Sequence, residues 1–244
     1  MRSGIFYGVG VGPGDPELMT LKAVSVLKAA PVLAVPRSAD SKGEASLALS
    51  IVEKAVRLDE KELLDLPLPM TKDKAVLLKA RQRAASRVVE RLSSGLDVAF
   101  ITLGDALLYS TFSYLVPLVR EEMENVEVRV VPGIMAMSAA ASALAMPLAE
   151  ADEQVRIMPA SYAMDEAGDA LDGQGTIVFM KVNKVFDGLR ALLREKGLLE
   201  NAALVSHAGW PDEKITRDLS VVDAASLDYF SIVIVRKGDL RASI

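Results

Sequence analysis

The sequence predicts two α/β domains, the first on a mostly parallel sheet with crossover helices and the second on a mixed or antiparallel sheet. Three observations lead there. Apolar residues make up 51% of the 244 positions, enough for one large core or two smaller ones. The first half alternates short β-like apolar runs with amphipathic helical patterns, the signature of parallel strands joined by crossover helices. The second half is a series of strand-like runs interrupted by a single strong helix, so fewer crossovers are available. The turn Pro132-Gly133 sets the expected boundary, with domains over 1–133 and 134–244.

The elements follow in order. The first strand is expected at 5–11, ahead of the loop Gly12-Pro13-Gly14-Asp15-Pro16. Leu18, Leu21, Val24 and Leu27 then recur at helical spacing, with Asp15 as N-cap and Pro16 as first helical residue. A strand at 32–35, a helix at 44–54, a strand at 62–66 and a charged helix at 73–92, ending near Gly95, come next. Strand 97–103 leads into Gly104-Asp105, a helix over 109–122 that Pro117 should kink, and strand 126–131. The alanine-rich stretch 134–148 carries Ser138 and Ser142 and is broken by Pro147, so it reads as a closely packed buried helix. Beyond it, strands are expected at 154–159, 176–182, 202–207, 215–218 and 230–235, and a helix at 184–196. A hairpin is expected across Gly209-Trp210-Pro211.

Composition removes several function classes. There is no cysteine, so disulfides, thiolate nucleophiles and Cys-ligated metal centres are excluded, a composition suited to a reducing cytoplasm. His207 is the single histidine; no multi-histidine metal site can be built, and a structural or incidental role is expected for it. The net charge of −5 argues against nucleic-acid binding, which draws on basic residues neutralising phosphates. No run reaches the length of a membrane span, and the N-terminal residues lack a signal-peptide core.

Three loops can carry chemistry. The stretch Gly8-Val9-Gly10-Val11-Gly12-Pro13-Gly14 invites a dinucleotide reading, but its spacing fails: the third glycine position is Pro13 when counted from Gly8 and Asp15 when counted from Gly10. Val35-Pro36-Arg37 also lacks the acidic residue that would hold a ribose, and no P-loop occurs. What remains is either a tight structural turn or a loop admitting close backbone approach. The second loop, around Leu103-Gly104-Asp105 and Leu108, lies beyond a strand's carboxyl end, where open α/β sheets place ligands. Its backbone and apolar walls suit an adenosine-type ligand, while Asp105 is a helix N-cap or a polar contact. The third loop, Val131-Pro132-Gly133-Ile134, again joins strand to helix, so three loops are expected at one sheet edge.

Gly8-x-Gly10-x-Gly12-Pro13-Gly14-Asp15-Pro16, then Gly104-Asp105-x-x-x-Tyr109-Ser110-Thr111-Phe112, then Val131-Pro132-Gly133-Ile134 together resemble the tetrapyrrole (corrin/porphyrin) methylase family over essentially the whole chain. The Tyr-Ser-Thr-Phe continuation is similar to the branch that methylates C-20 of precorrin-2 or cobalt-factor II. The resemblance implies two α/β domains, a cytoplasmic homodimer, and S-adenosylmethionine folded into a cleft between the domains, leaving as S-adenosylhomocysteine. Carried over by motif, the cofactor-binding positions are Pro13, Leu103, Gly104, Asp105, Leu108, Met135, Ala136, Met180 (or its neighbour Lys181) and Ala208. Two departures stand out. The family's Gly-Asp-Pro loop is Gly-Asp-Ala here, with Ala106, and the aspartate that uroporphyrinogen methylases carry after the second strand is absent at Val35-Pro36-Arg37.

The implied chemistry is methyl transfer from a sulfonium to a tetrapyrrole carbon, an in-line displacement in which positioning dominates and no protein-held metal is needed. Asp105, Tyr109 and Glu153 are the alternatives for a base taking the departing proton. Arg37, Lys42, Arg81 and Lys181 are candidates for the substrate's carboxylates. Methylation at another corrin carbon, and a non-catalytic adenosine-binding role, are the competing functions.

Overall fold

The computed structural model describes residues 3–37, 46–69, 71 and 73–237. The chain divides into two compact units, Met1–Met135 and Ala136–Ile244, each built on one five-stranded sheet.

The first unit runs β1 (Ile5–Gly10), α1 (Leu21–Ala29), β2 (Val32–Arg37), α2 (Leu47–Val52), β3 (Glu62–Pro67), α3 (Lys74–Ser93), β4 (Val98–Thr102), α4 (Phe112–Glu122) and β5 (Glu127–Val131). Strand order is β3-β2-β4-β1-β5, with every pair parallel. Residues 32–35 and 98–101 are buried without alternation, as a sheet covered on both faces requires. On one face Phe6, Ala34, Leu64, Leu66 and Phe100 pack against Ala84, Val88 and Leu92 of α3 and Phe112, Leu115 and Val119 of α4. The connections β1 to β2 and β2 to β3 run across the sheet in the opposite direction, so right-handed crossovers put α1 and α2 on the other face.

This order has a local consequence at the carboxyl ends of β1 and β4, which are neighbours in register from Phe6↔Val98 to Gly10↔Thr102. The β1 connection must pass β4 to reach β2, and the β4 connection must pass β1 to reach β5. Two loops therefore cross at one edge.

Several sequence expectations shift. Asp15 and Pro16 do act as N-cap and first residue, but of a single 3₁₀ turn, Pro16–Leu18; α1 starts at Leu21, capped by Thr20, which accepts from the Ala23 amide at 3.0 Å. Leu21, expected on the buried stripe, is 88% exposed, and Ala23, Val26 and Leu27 carry the contact instead. The helix expected from 109 begins only at Phe112, because Tyr109 has φ 53° and a left-handed residue cannot join a right-handed helix. Pro117 lies inside α4, which continues through it to Glu122. The helix expected at 44–54 is α2, with residues 44 and 45 outside the described residues.

The second unit holds α5 (Ala136–Ala143), β6 (Val155–Pro159), α6 (Ala160–Ala163), α7 (Ala167–Asp172), β7 (Thr176–Met180), α8 (Phe186–Glu195), β8 (Ala202–Ser206), β9 (Lys214–Thr216) and β10 (Ser231–Arg236). Its order is β6-β7-β10-β8-β9; β6 and β7 are parallel and the other pairs antiparallel, the mixed sheet that the shortage of crossovers implied. The hairpin is present, with Leu204↔Thr216 and Ser206↔Lys214 in register. Ile177, Phe179, Leu204, Val233 and Val235 share a core with Leu171 of α7 and Phe186, Leu189 and Leu193 of α8. The short helices α6 and α7 have no counterpart among the sequence expectations, since one turn shows no period. Strands β7 and β8 both run antiparallel to β10, so Met180 and Ser206 end at the same sheet edge, opposite Ile232 and Ser231. Among the described residues no helix is long and apolar enough to cross a membrane.

Candidate active site

In the first unit the three glycine loops meet where β1, β4 and β5 end. The Val11 amide donates to the Thr102 carbonyl at 2.9 Å, and Gly12 and Gly104 then pair across an antiparallel bridge, with Gly104 N–H to Gly12 O at 2.7 Å. Gly133 closes on Gly104 and Gly10. A Cβ placed on it would lie 2.0 Å from the Gly104 carbonyl oxygen and 2.8 Å from Gly10 Cα, while one on Gly10 would lie 2.5 Å from the Gly104 oxygen. Three backbones thus touch at a spacing that only glycine permits. Gly8 serves helix packing instead, since a Cβ there would lie 2.4 Å from the Phe112 ring and push α4 off the sheet. The glycine spacing is set by loop crossing and helix packing, which explains why it fails the dinucleotide pattern.

Asp105 ties this cluster together. One carboxylate oxygen accepts from the Leu107 amide at 2.8 Å and the other from the Gly133 amide at 2.9 Å, so it caps its own turn and holds the third loop rather than capping α4. The residue at the α4 N-cap is Thr111, which makes no side-chain capping bond; the buried Ser110 before it donates to Thr102 Oγ1 at 3.2 Å and accepts from the Phe112 amide. Phe112 stacks with Phe6 and Phe100 at 5.1 and 5.9 Å. Ser110 and Phe112 of the Tyr-Ser-Thr-Phe segment are therefore structural, whereas Leu107 and Tyr109 project outward, 61% and 46% exposed. Ala106, in place of the expected proline, is fully buried.

The carried-over positions fall into two groups, each on a sheet edge of its own unit. Pro13, Leu103, Gly104 and Asp105 belong to the crossing loops, with Leu108 on the outgoing turn and Met135 just past Gly133. Ala136 opens α5; Met180 ends β7, and Ala208 follows β8 by two residues. Lys181 and His207, next in sequence to Met180 and Ala208, both have left-handed backbones, φ 59° and 54°. The Lys181 ammonium lies 5.0 Å from the Tyr229 ring centroid, and its carbonyl accepts from Ser161 at 2.7 Å.

His207, expected to be structural or incidental, is held by two carboxylates that the sequence does not single out. Its Nδ1 lies 2.6 Å from Asp212 and its Nε2 contacts Asp228. Burial opposes its charge, but hydrogen bonds to Asp228 and Asp212, with their negative charge, outweigh it and raise the ring's pKa above the ordinary histidine value. No local motif announces this, because the partners lie 5 and 21 residues away.

Of the base candidates, Asp105 spends both oxygens on backbone amides. Glu153 accepts from the Glu150 amide and, with Glu150, pairs with the nearly buried Arg236. Among the carboxylate-binding candidates, Arg37 pairs with Asp65 at 2.5 Å and Arg81 stacks over Tyr114 at 3.9 Å. Lys42 lies outside the described residues.

A family model for the tetrapyrrole (corrin/porphyrin) methylases matches residues 6–220, and the chain belongs to that family of methyltransferases. Among relatives, it is 37% identical over 235 residues to a probable cobalt-precorrin-2 C(20)-methyltransferase of Methanocaldococcus jannaschii, covering 95% of each chain. It is 34% identical over 238 residues to the cobalt-precorrin-2 C(20)-methyltransferase of Salmonella typhimurium, covering 96% of this chain and 97% of that one. The fold is that of a solved cobalt precorrin-4 methyltransferase, with TM-score 0.73 and 23% identity over 95% of this chain and 94% of the other.

Proposed function

We propose that this chain methylates C-20 of precorrin-2 or its cobalt-containing counterpart, cobalt-factor II, in cobalamin biosynthesis, using S-adenosylmethionine. The observation that carries the reading is the meeting of Gly10, Gly104 and Gly133 at one sheet edge, in a chain whose relatives named for this reaction match it end to end. The residues present fit an adenosyl ligand: side-chain-free backbone admits close approach, and Leu103, Leu108 and Met135 offer half-buried apolar walls. When bound, the cofactor supplies a methyl group already activated on a sulfonium.

The chain's own part is then positioning. Leu103-Gly104-Asp105, Pro13, Leu108, Met135 and Ala136 are the proposed contacts from one stretch of loops, with Met180 and Ala208 as further contacts. Asp105 holds its loop to Gly133 and so acts on the backbone that faces the ligand. A cytoplasmic homodimer belongs to the same reading. Incubation with S-adenosylmethionine and either tetrapyrrole should yield S-adenosylhomocysteine and a product heavier by one methyl group, at C-20 by NMR. Cofactor binding without turnover on either substrate would leave only an adenosine-binding protein.

A further inference from the structure

His207 carries two carboxylates, one on each ring nitrogen. A neutral imidazole has one N–H and one lone pair, and a lone pair facing an ionised carboxylate repels it, so this arrangement calls for the doubly protonated ring. The contacts join three segments: the end of β8, the turn that holds Asp212, and the loop from Asp228 into β10. Backbone bonds reinforce them, from the His207 amide to the Phe230 carbonyl at 3.2 Å and from the Trp210 amide to the His207 carbonyl at 2.9 Å. Phe230 meets the ring edge-on at 5.8 Å and Trp210 lies 6.4 Å away. The backbone at His207 is left-handed, a conformation that a non-glycine residue adopts only at a cost, and that turn directs the chain off the sheet straight into Ala208.

We infer that His207, as an imidazolium bridging Asp212 and Asp228, is a positioning residue that fixes the Ala208 backbone, so that affinity for the adenosyl cofactor falls when the ring loses its proton. This rests on the methyltransferase reading. Other charged groups among the described residues surround the bridge. On the same turn Glu213 accepts from the Gly209 amide. Lys214 of β9 acts on Asp212, whose own carboxyl is lowered first by its hydrogen bond to His207. Asp223 joins His207, Asp212, Asp228 and Lys214 around a cavity of about 260 Å³, through which water can exchange the ring proton. Lys181 lies against Tyr229, the residue after Asp228.

Because the chain has one histidine, its ring proton signal in an untagged sample needs no mutant for assignment. The test is an NMR titration of that signal from about pH 5 to 9, beside calorimetric binding of S-adenosylhomocysteine over the same range. The ring should titrate above the ordinary histidine value, and affinity should fall about tenfold through that midpoint, with KM rising while kcat holds. H207N keeps a residue that tolerates the left-handed backbone but removes the charge; it should bind weakly at every pH. H207R keeps a permanent cation with several donors and should bind tightly and without pH dependence. A midpoint at or below the ordinary value, or affinity flat through the ring's titration, overturns the inference. If the wild type binds no S-adenosylhomocysteine at any pH, the methyltransferase reading fails and takes the cofactor link with it, while the titration still decides whether the ring is a cation.

Discussion

A methyl group on Gly133 would stand 2.0 Å from the Gly104 carbonyl oxygen, with Gly10 Cα 2.8 Å away, and neither neighbour is the flexible end of a side chain. Relief requires the crossing loops to part. G133A is therefore expected to lower stability by about 1–3 kcal/mol and to raise the KM for S-adenosylmethionine about tenfold or more. G168A is the matched control, since Gly168 sits in α7 with nothing within 4 Å of an added Cβ. There the better helix former should be neutral or stabilise by up to about 1 kcal/mol. Denaturant melts and initial rates on both variants separate a general cost of alanine from the close approach; equal effects would remove the loop-crossing explanation. The left-handed residues make a related point. Tyr109, Lys181 and His207 have φ between 53° and 59° without being glycine, and each follows the carboxyl end of a strand in a loop proposed to touch the cofactor. Strain of this kind persists where surrounding contacts over-determine it.

At the scale of elements, α4 shows how a motif can be a true signature and still not be chemistry. Phe112 enters from Tyr-Ser-Thr-Phe, yet its ring sits over Gly8 between Phe6 and Phe100. F112A should cost about 3–5 kcal/mol in a denaturant melt and leave turnover per folded molecule nearly unchanged; a large kcat loss with little stability loss would reverse that assignment. The strands are legible in the sequence because residues 32–35 of β2 and 98–101 of β4 are uninterrupted apolar runs, and the hairpin because Gly209-Trp210-Pro211 separates two strand-like segments. The three loops are legible as glycine spacing. What is not legible is what depends on distance in sequence or on backbone sign. The Arg236 pair with Glu150 and Glu153 spans more than eighty residues. A left-handed tyrosine or lysine has no local signal, so sequence pattern starts α4 three residues early. The phase of α1 is hidden because its contact face is Ala23, Val26 and Leu27, and an alanine that packs closely looks neutral in an apolar count.

At the scale of the whole molecule, the described groups whose shifts fall on the acid and neutral side lie in one unit. Among the described residues, every carboxylate with a shifted pKa lies in Ala136–Ile244: Asp172 is lowered first by its hydrogen bond to Lys196, Asp212 by that to His207 and Asp218 by that to Ser220. In the first unit the shifted groups are Lys61, Arg91 and Arg129, which titrate in the alkaline range. A carboxylate lowered in the folded state contributes stability above its unfolded pKa and loses it as pH falls through the folded one. A histidine raised in the folded state does the reverse, contributing below its unfolded pKa and losing that contribution as pH rises through the folded one. The thermal midpoint should therefore hold level from about pH 4.5 to 6.5 and decline on both sides. The two limbs have different owners, and they share Asp212. In H207N the alkaline decline should vanish, and the acid decline should shrink because Asp212 has lost the partner that depressed it. Scanning calorimetry of both proteins from about pH 3 to 9 reads this directly. An alkaline limb of undiminished size in H207N would mean that groups other than the single histidine set it, and the bridge between Asp212 and Asp228 would lose its place in the stability of this unit.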